Sequence, residues 1–342
     1  MAAGVWAAAA ADSLRAQAPI VGEIDFYGLR KLAPERILGA LKLHPGDRLP
    51  ASRGDMEERV EAIPGVAMAS IEAVCCEGPR ATLFIGIEER GAPHAGFRSE
   101  PSGDARLPAP LLDAYNQYVD AVRSAAAHGR AGEDLSAGHS LMDDPNAWSF
   151  QQRFLGLVPE DLATLRDVLH SDTDAGERAA AAALIGYAPR KAGVIDDLEF
   201  ALQDPDAAVR ANALRSLTAI AVLASKEPRE GLEIAPIWVV ELLHSVALSD
   251  RVEAVQTLLA LTEGSGAAPV LDLVRERALS AVVEMARWKT PSYALPPFVL
   301  AGRIAGLSYV DTLQQWATGD REAVLGKALA SAPRKKSGGA LQ

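Results

Sequence analysis

Residues 20–90 read IVGEIDFYGLRKLAPERILGALKLHPGDRLPASRGDMEERVEAIPGVAMASIEAVCCEGPRATLFIGIEER, and this stretch decides the fold. At 21–27, Ile24 and Phe26 alternate with Asp25 and Tyr27, and Gly28 closes the run, which predicts a strand. Pro34 opens a helix where its missing N–H costs nothing, with Ile37, Leu38 and Leu41 as the apolar stripe. Gly46 and Pro50 break the chain. A second helix starts near Ser52, carries Met56, Val60 and Ile63 on one face and stops at Pro64 and Gly65. Residues 66–76 and 80–88 then form two strands joined by the turn Glu77, Gly78, Pro79. Ala69, Ile71, Ala73 and Cys75 share one face of the first, and Leu83, Ile85 and Ile87 one face of the second. The expectation over residues 19–90 is a small β-α-α-β-β unit, two helices on one side of a three-stranded sheet.

That order, with Gly28 after the first strand, Ile63-Pro64-Gly65-Val66 ending the second helix and Ile87-Glu88-Glu89-Arg90 closing the last strand, resembles the POTRA domain. A ferredoxin-like half or a small nucleic-acid-binding fold shares the patterning. POTRA domains sit on the periplasmic or outer face of bacterial membranes, in barrel-assembly, secretion and division proteins. The resemblance implies a protein-docking module that adds a partner strand to an exposed sheet edge, here Met68, Ser70, Glu72, Val74 and Cys76. No barrel-like series of strands follows and no helix reads as long enough to span a bilayer, so a direct part in barrel insertion does not follow.

At 342 residues and 49 % hydrophobic, the chain is long enough for two or three domains with a substantial core, and disorder is excluded. Acidic residues outnumber basic ones 45 to 34, a net charge of −11, which removes nucleic acid as a leading partner. Residues 1–18 carry an apolar run at 2–11 and then Ala16-Gln17-Ala18, the small-x-small pattern of a signal-peptidase site, so export is the expectation. The competing reading is a frayed, Ala-rich start of a cytoplasmic scaffold. Cys75 and Cys76 are adjacent, too few for a metal site or a disulfide framework. On a strand they point to opposite faces, Cys75 inward and Cys76 outward, where an oxidising compartment permits an intermolecular disulfide.

Residues 91–110, rich in Gly, Pro, Ser and Arg, read as a linker that lets the two halves swing. Residues 111–158 read as a helical cap: Leu111, Tyr115, Tyr118, Val119 and Val122 line one helix face, a Gly-rich passage follows, and Trp148, Phe150 and Phe154 gather in a chain with only 5 % aromatics. From 159 to 330 the chain repeats itself. Asp174, Arg178 and Ala181 recur 32 residues on as Asp206, Arg210 and Ala213; Arg251 and Ala254 keep the offset, and Arg275 and Ala278 do so again too soon for a whole repeat. These units resemble HEAT or HEAT-like repeats, which implies an Asp opening each second helix, an Arg one turn later linking neighbouring turns, and Ala where helices approach. Such units stack into an α-solenoid. Helices are expected at 267–288, 298–306 and 309–316, and 331–342 reads as a solvated tail.

The six His are far apart, and no phosphate loop, nucleophile elbow or calcium loop is present. No metal, cofactor or catalytic residue is expected. The reading is an α+β unit followed by an all-α solenoid, acting as an exported, non-enzymatic scaffold that binds proteins, among them envelope or outer-membrane components. The alternative is a lyase-like or hydrolytic enzyme with a site between the solenoid and residues 148–154.

Overall fold

The computed structural model describes residues 18–77, 80–228, 231–264 and 266–332, and of Cys75, Cys76 and Glu77 only the backbone. The signal-peptide expectation, the last ten residues of the tail and the facing of the two cysteines therefore lie outside the described residues.

The N-terminal unit runs β1 (Ile20–Tyr27), α1 (Pro34–Leu41), α2 (Arg53–Glu61), β2 (Val66–Glu77) and β3 (Arg80–Glu89). Pro34 is at the start of α1, and Ser52 caps α2 by accepting the Asp55 N–H at 3.1 Å. The sheet order is β1-β3-β2: β3 lies in the middle, parallel to β1 and antiparallel to β2, so β2 is an edge. Ile24, Ile37, Met56, Val60, Ile71 and Ile85 form a buried layer between the sheet and the two helices. That is the face expected from the alternation.

Residues 91–108 do not hang free, which corrects the swinging linker. The Arg98 N–H donates to Gln203 O at 2.8 Å, Gly103 N–H to Ser171 O at 2.7 Å, and Thr173 N–H back to Gly103 O at 3.3 Å. The Phe97 ring centre lies 3.8 Å from the Arg210 guanidinium, and the Arg98 guanidinium 3.0 Å from the Phe200 ring centre. Gly and Pro exclude helix and strand, yet an irregular backbone still satisfies its N–H and C=O groups on a neighbouring element. The segment is a strap.

The helical region follows as α3 (Ala109–Ala127), a hairpin of β4 (Glu133–Asp134) and β5 (Leu141–Met142), α4 (Pro145–Ser171), α5 (Ala175–Ile185), α6 (Ile195–Ala201), α7 (Ala207–Lys226), α8 (Pro236–Glu241), α9 (Leu248–Leu261), α10 (Ala267–Arg277), α11 (Leu279–Ala286), α12 (Pro291–Ile304), α13 (Tyr309–Thr318) and α14 (Glu322–Ala330). α5 lies on α7, α7 on α9 and α9 on α12, while α4 meets α5 and α6, and α8 meets α9 and α10. The boundary expected at 158/159 falls inside α4, which continues through Pro159 because Phe154, Val158 and Leu165 bury one unbroken stripe. The helix expected at 267–288 breaks at Ala278, and α12 begins earlier than expected, running through Pro296 and Pro297. By length and composition α7 is long and apolar enough to cross a membrane, contrary to the sequence reading; it is the helix between α5 and α9, and over half of its most apolar stretch is buried.

Candidate functional site

Three features follow from this arrangement: a ladder of charges along the helix turns, a seam between sheet and helices, and a cleft at the end of that seam. In the ladder, Asp174 and Asp206 cap α5 and α7, each accepting two backbone N–H groups at 2.8 and 3.2 Å. One turn on, Arg178 and Arg210 are buried. The Arg178 Nη1 donates to Asp172 O at 2.9 Å, and Nε and Nη2 grip the Asp204 carboxylate at 2.9 Å each. Arg210 repeats this, with Nη1 on Asp204 O at 2.7 Å and Nη2 on Asp250 at 2.7 Å. Arg251 bonds Ser245 O at 2.6 Å and Glu284 at 3.3 Å. Each guanidinium thus holds a carbonyl just before its own helix and a carboxylate 26 to 40 residues further along the chain. Burying ions is costly unless each is hydrogen-bonded, and the forks of Arg178 and Arg210 supply that for Asp204 and Asp250. Ala181, Ala213 and Ala254 are fully buried where helices meet.

The ladder also extends beyond Arg178, Arg210 and Arg251. Arg106 of the strap bonds Asp172, taking the place ahead of Arg178. At the far end the Gly28 N–H donates to both Glu284 oxygens at 2.9 and 3.0 Å. Arg275 takes no part: it lies in α10 and pairs with Asp272. Asp250 and Glu284 escaped sequence reading, since the only trace of Asp250 is a carboxylate directly before Arg251.

The seam is the second face of the sheet. Tyr27 and Phe84 are fully buried, with Trp288 edge-on to both at 5.7 and 5.1 Å and Tyr293 5.0 Å from Phe84. A Cβ on Gly86 would stand 2.4 Å from the Tyr27 ring, so a bare backbone lets the ring lie across β3. Polar groups match across the seam: the Tyr27 hydroxyl donates to Val246 O at 2.8 Å, Leu248 N–H to Glu72 at 3.3 Å, Lys289 N–H to Asp25 at 3.0 Å and the Trp288 indole to Phe26 O at 3.3 Å. Burial is the leading cause that raises Asp25 and Glu284 above the ordinary carboxylate range and pushes Glu72 up to about 7. One sign of this face was legible: Leu83-Phe84-Ile85 is a continuous apolar run, as in a strand buried on both sides.

The expected docking residues divide. Met68 is 48 % exposed. Ser70 and Glu72 are buried, and Val74 lies half-buried against the helical core. The Ala69 and Ile71 N–H groups already donate to Glu61 and Glu57 of α2, at 3.0 and 2.8 Å. A partner strand pairing there has to displace both carboxylates. Beside the aromatic segment, Phe154 is fully buried against Tyr118 and Tyr187 while Trp148 points outward. Nearby, burial brings Lys191 down to about 8 and His139 to about 4; the Lys191 Nζ donates to Gly186 O at 2.6 Å, at the end of α5. Among the described residues no three His, Cys, Asp or Glu are placed to hold a metal ion.

The cleft, of about 400 Å³, opens where β1 and β3 meet α11. Arg30, Arg251, His244, Glu284, Ile87 and Trp288 are among its walls. The chain matches no family model, and no curated protein matches it.

Proposed function

We propose that this protein is a non-enzymatic docking scaffold: a POTRA-like unit seated on a HEAT-like α-solenoid, exported to the periplasm and binding proteins of the cell envelope. The observation that carries this reading is the run of buried Arg–carboxylate contacts that ties α5 to the turn before α7, α7 to α9 and α9 to α11. Helices tied in this way present a long surface of fixed shape, suited to holding another protein. The exposed Met68 on the edge strand offers a second contact, with Cys76 near it in sequence. The net charge of −11 argues for protein over nucleic acid.

The test is a photocrosslinking amino acid at Met68 and at Arg215, an accessible position on α7, in cells of the native host, followed by fractionation and N-terminal sequencing. The reading expects discrete adducts with envelope proteins and a mature start after Ala18. A soluble cytosolic protein that retains Met1 and gives no adduct from either position overturns it.

A further inference from the structure

The cleft at the end of the seam carries an unanswered charge. Arg251 and Glu284 face each other at 3.3 Å, Arg287 is paired with Glu322 at 2.8 Å, and Asp25 takes the Lys289 N–H. Arg30 is left over. Among the described residues its guanidinium has no hydrogen bond or ion pair, although it lines the cleft and its charge acts on Arg251, His244 and Glu284. Arg30 and Arg251 act on one another and both act on the Glu284 carboxylate, so a second anion between the two guanidiniums relieves their like-charge contact further. Glu284 is already shared between the Gly28 N–H and Arg251.

The rest of the wall defines what that anion belongs to. Leu29, Ile87, Pro93 and Trp288 give the cleft apolar lining, and 400 Å³ suits a small molecule. Glu284, Asp25 and Glu88 also line the cleft, so a doubly charged phosphate meets carboxylates that a single carboxylate group tolerates. We propose that this cleft binds a small amphipathic carboxylate, its anionic end between Arg30 and Arg251 and its apolar body against Ile87, Pro93 and Trp288. Such a ligand touches the sheet and α11 at once, so its binding pins the two parts of the chain together. The site is independent of the docking reading and stands whether or not the protein is exported.

Calorimetric titration of the full chain with N-acetyl-leucine, hexanoate and phenylacetate tests it, with N-acetyl-leucinamide and inorganic phosphate as controls. At least one carboxylate is expected to bind saturably and at least tenfold more tightly than the amide or phosphate. Arg30→Ala should weaken that binding at least tenfold without lowering the melting temperature, since the side chain is exposed and its guanidinium bonds no other described residue; Arg30→Lys should recover part of it. Failure of all three carboxylates at millimolar concentration, equal binding of the amide, tighter binding of phosphate, or indifference to Arg30→Ala overturns the proposal.

Discussion

Arg210 shows how much one side chain holds in this fold. It bonds two carbonyls of its own turn and the Asp250 carboxylate, which is fully buried. Arg210→Met strands that charge, and the expected loss is about 3–5 kcal/mol by urea denaturation. Arg210→Lys should recover less than half, because an ammonium cannot reproduce the fork. Removing Asp250 as well, as Arg210→Met with Asp250→Leu, should cost less than Arg210→Met alone. Glu72 sets a pH dependence of opposite character. Burial lifts it from about 4.5 to about 7, against the pull of Arg53 and the Leu248 N–H and with the push of Asp250 and Glu57. A carboxylate whose folded pKa is raised contributes stability that is whole below its unfolded value and is lost as pH rises through the folded one. Its share is about 3 kcal/mol, declining between about pH 4.5 and pH 7. Glu72→Gln keeps an acceptor for Leu248 and cannot ionise, so its stability should fall less than the parent's between about pH 5 and pH 8. Equal slopes for the two proteins would contradict this assignment.

Among the elements, the strap has the least internal structure and the most external dependence. Gly103 sits so close to α4 that an added Cβ would stand 2.6 Å from Ser171 O. Gly103→Val should therefore lift the strap off the turns. Trypsin cleavage after Arg98 and Arg106 is then expected to accelerate at least tenfold while the helical circular dichroism stays unchanged, since local opening governs proteolysis of such segments. Unaltered cleavage would mean that the strap is held by its other contacts, Phe97 on Arg210 and Arg98 on Phe200. Edge strand β2 shows the same dependence on a neighbour. Glu57 and Glu61 cover its outward donors, the kind of device by which proteins keep an edge from pairing with another chain.

For the whole molecule, the seam makes sheet and helices one cooperative unit. Tyr27 and Phe84 belong to the helical core while Ile24 and Leu83, beside them in the chain, belong to the sheet's own core. Trp288 packs edge-on against Tyr27 and Phe84, and Trp288→Ala should cost about 3–5 kcal/mol. In the parent protein, tryptophan fluorescence and far-ultraviolet circular dichroism should report one coincident unfolding transition; in the variant the sheet should melt before the stack. Two separated transitions in the parent would show that the seam does not couple the parts.

Periodicity and turn chemistry are local, and local information determined the elements. The order of strands and helices in residues 20–90, the Asp caps of α5 and α7, and the Arg and Ala offsets of the helical region were all legible, because each depends on residues within one or two turns of itself. What covers a surface is not local. The run Leu83-Phe84-Ile85 marks a face that becomes covered, but nothing near Tyr27, Phe84 or Glu72 in sequence states that what covers it lies more than 170 positions away. Gly and Pro mark where a backbone is irregular without saying what binds it, so the strap read as a linker. The cleft formed by Arg30, Arg251 and Glu284 escaped for the same reason. Local residues specify which segments become strands, helices and capped turns; which faces meet is settled only in the folded chain, because burial and charge compensation are properties of contacts between distant parts of the chain.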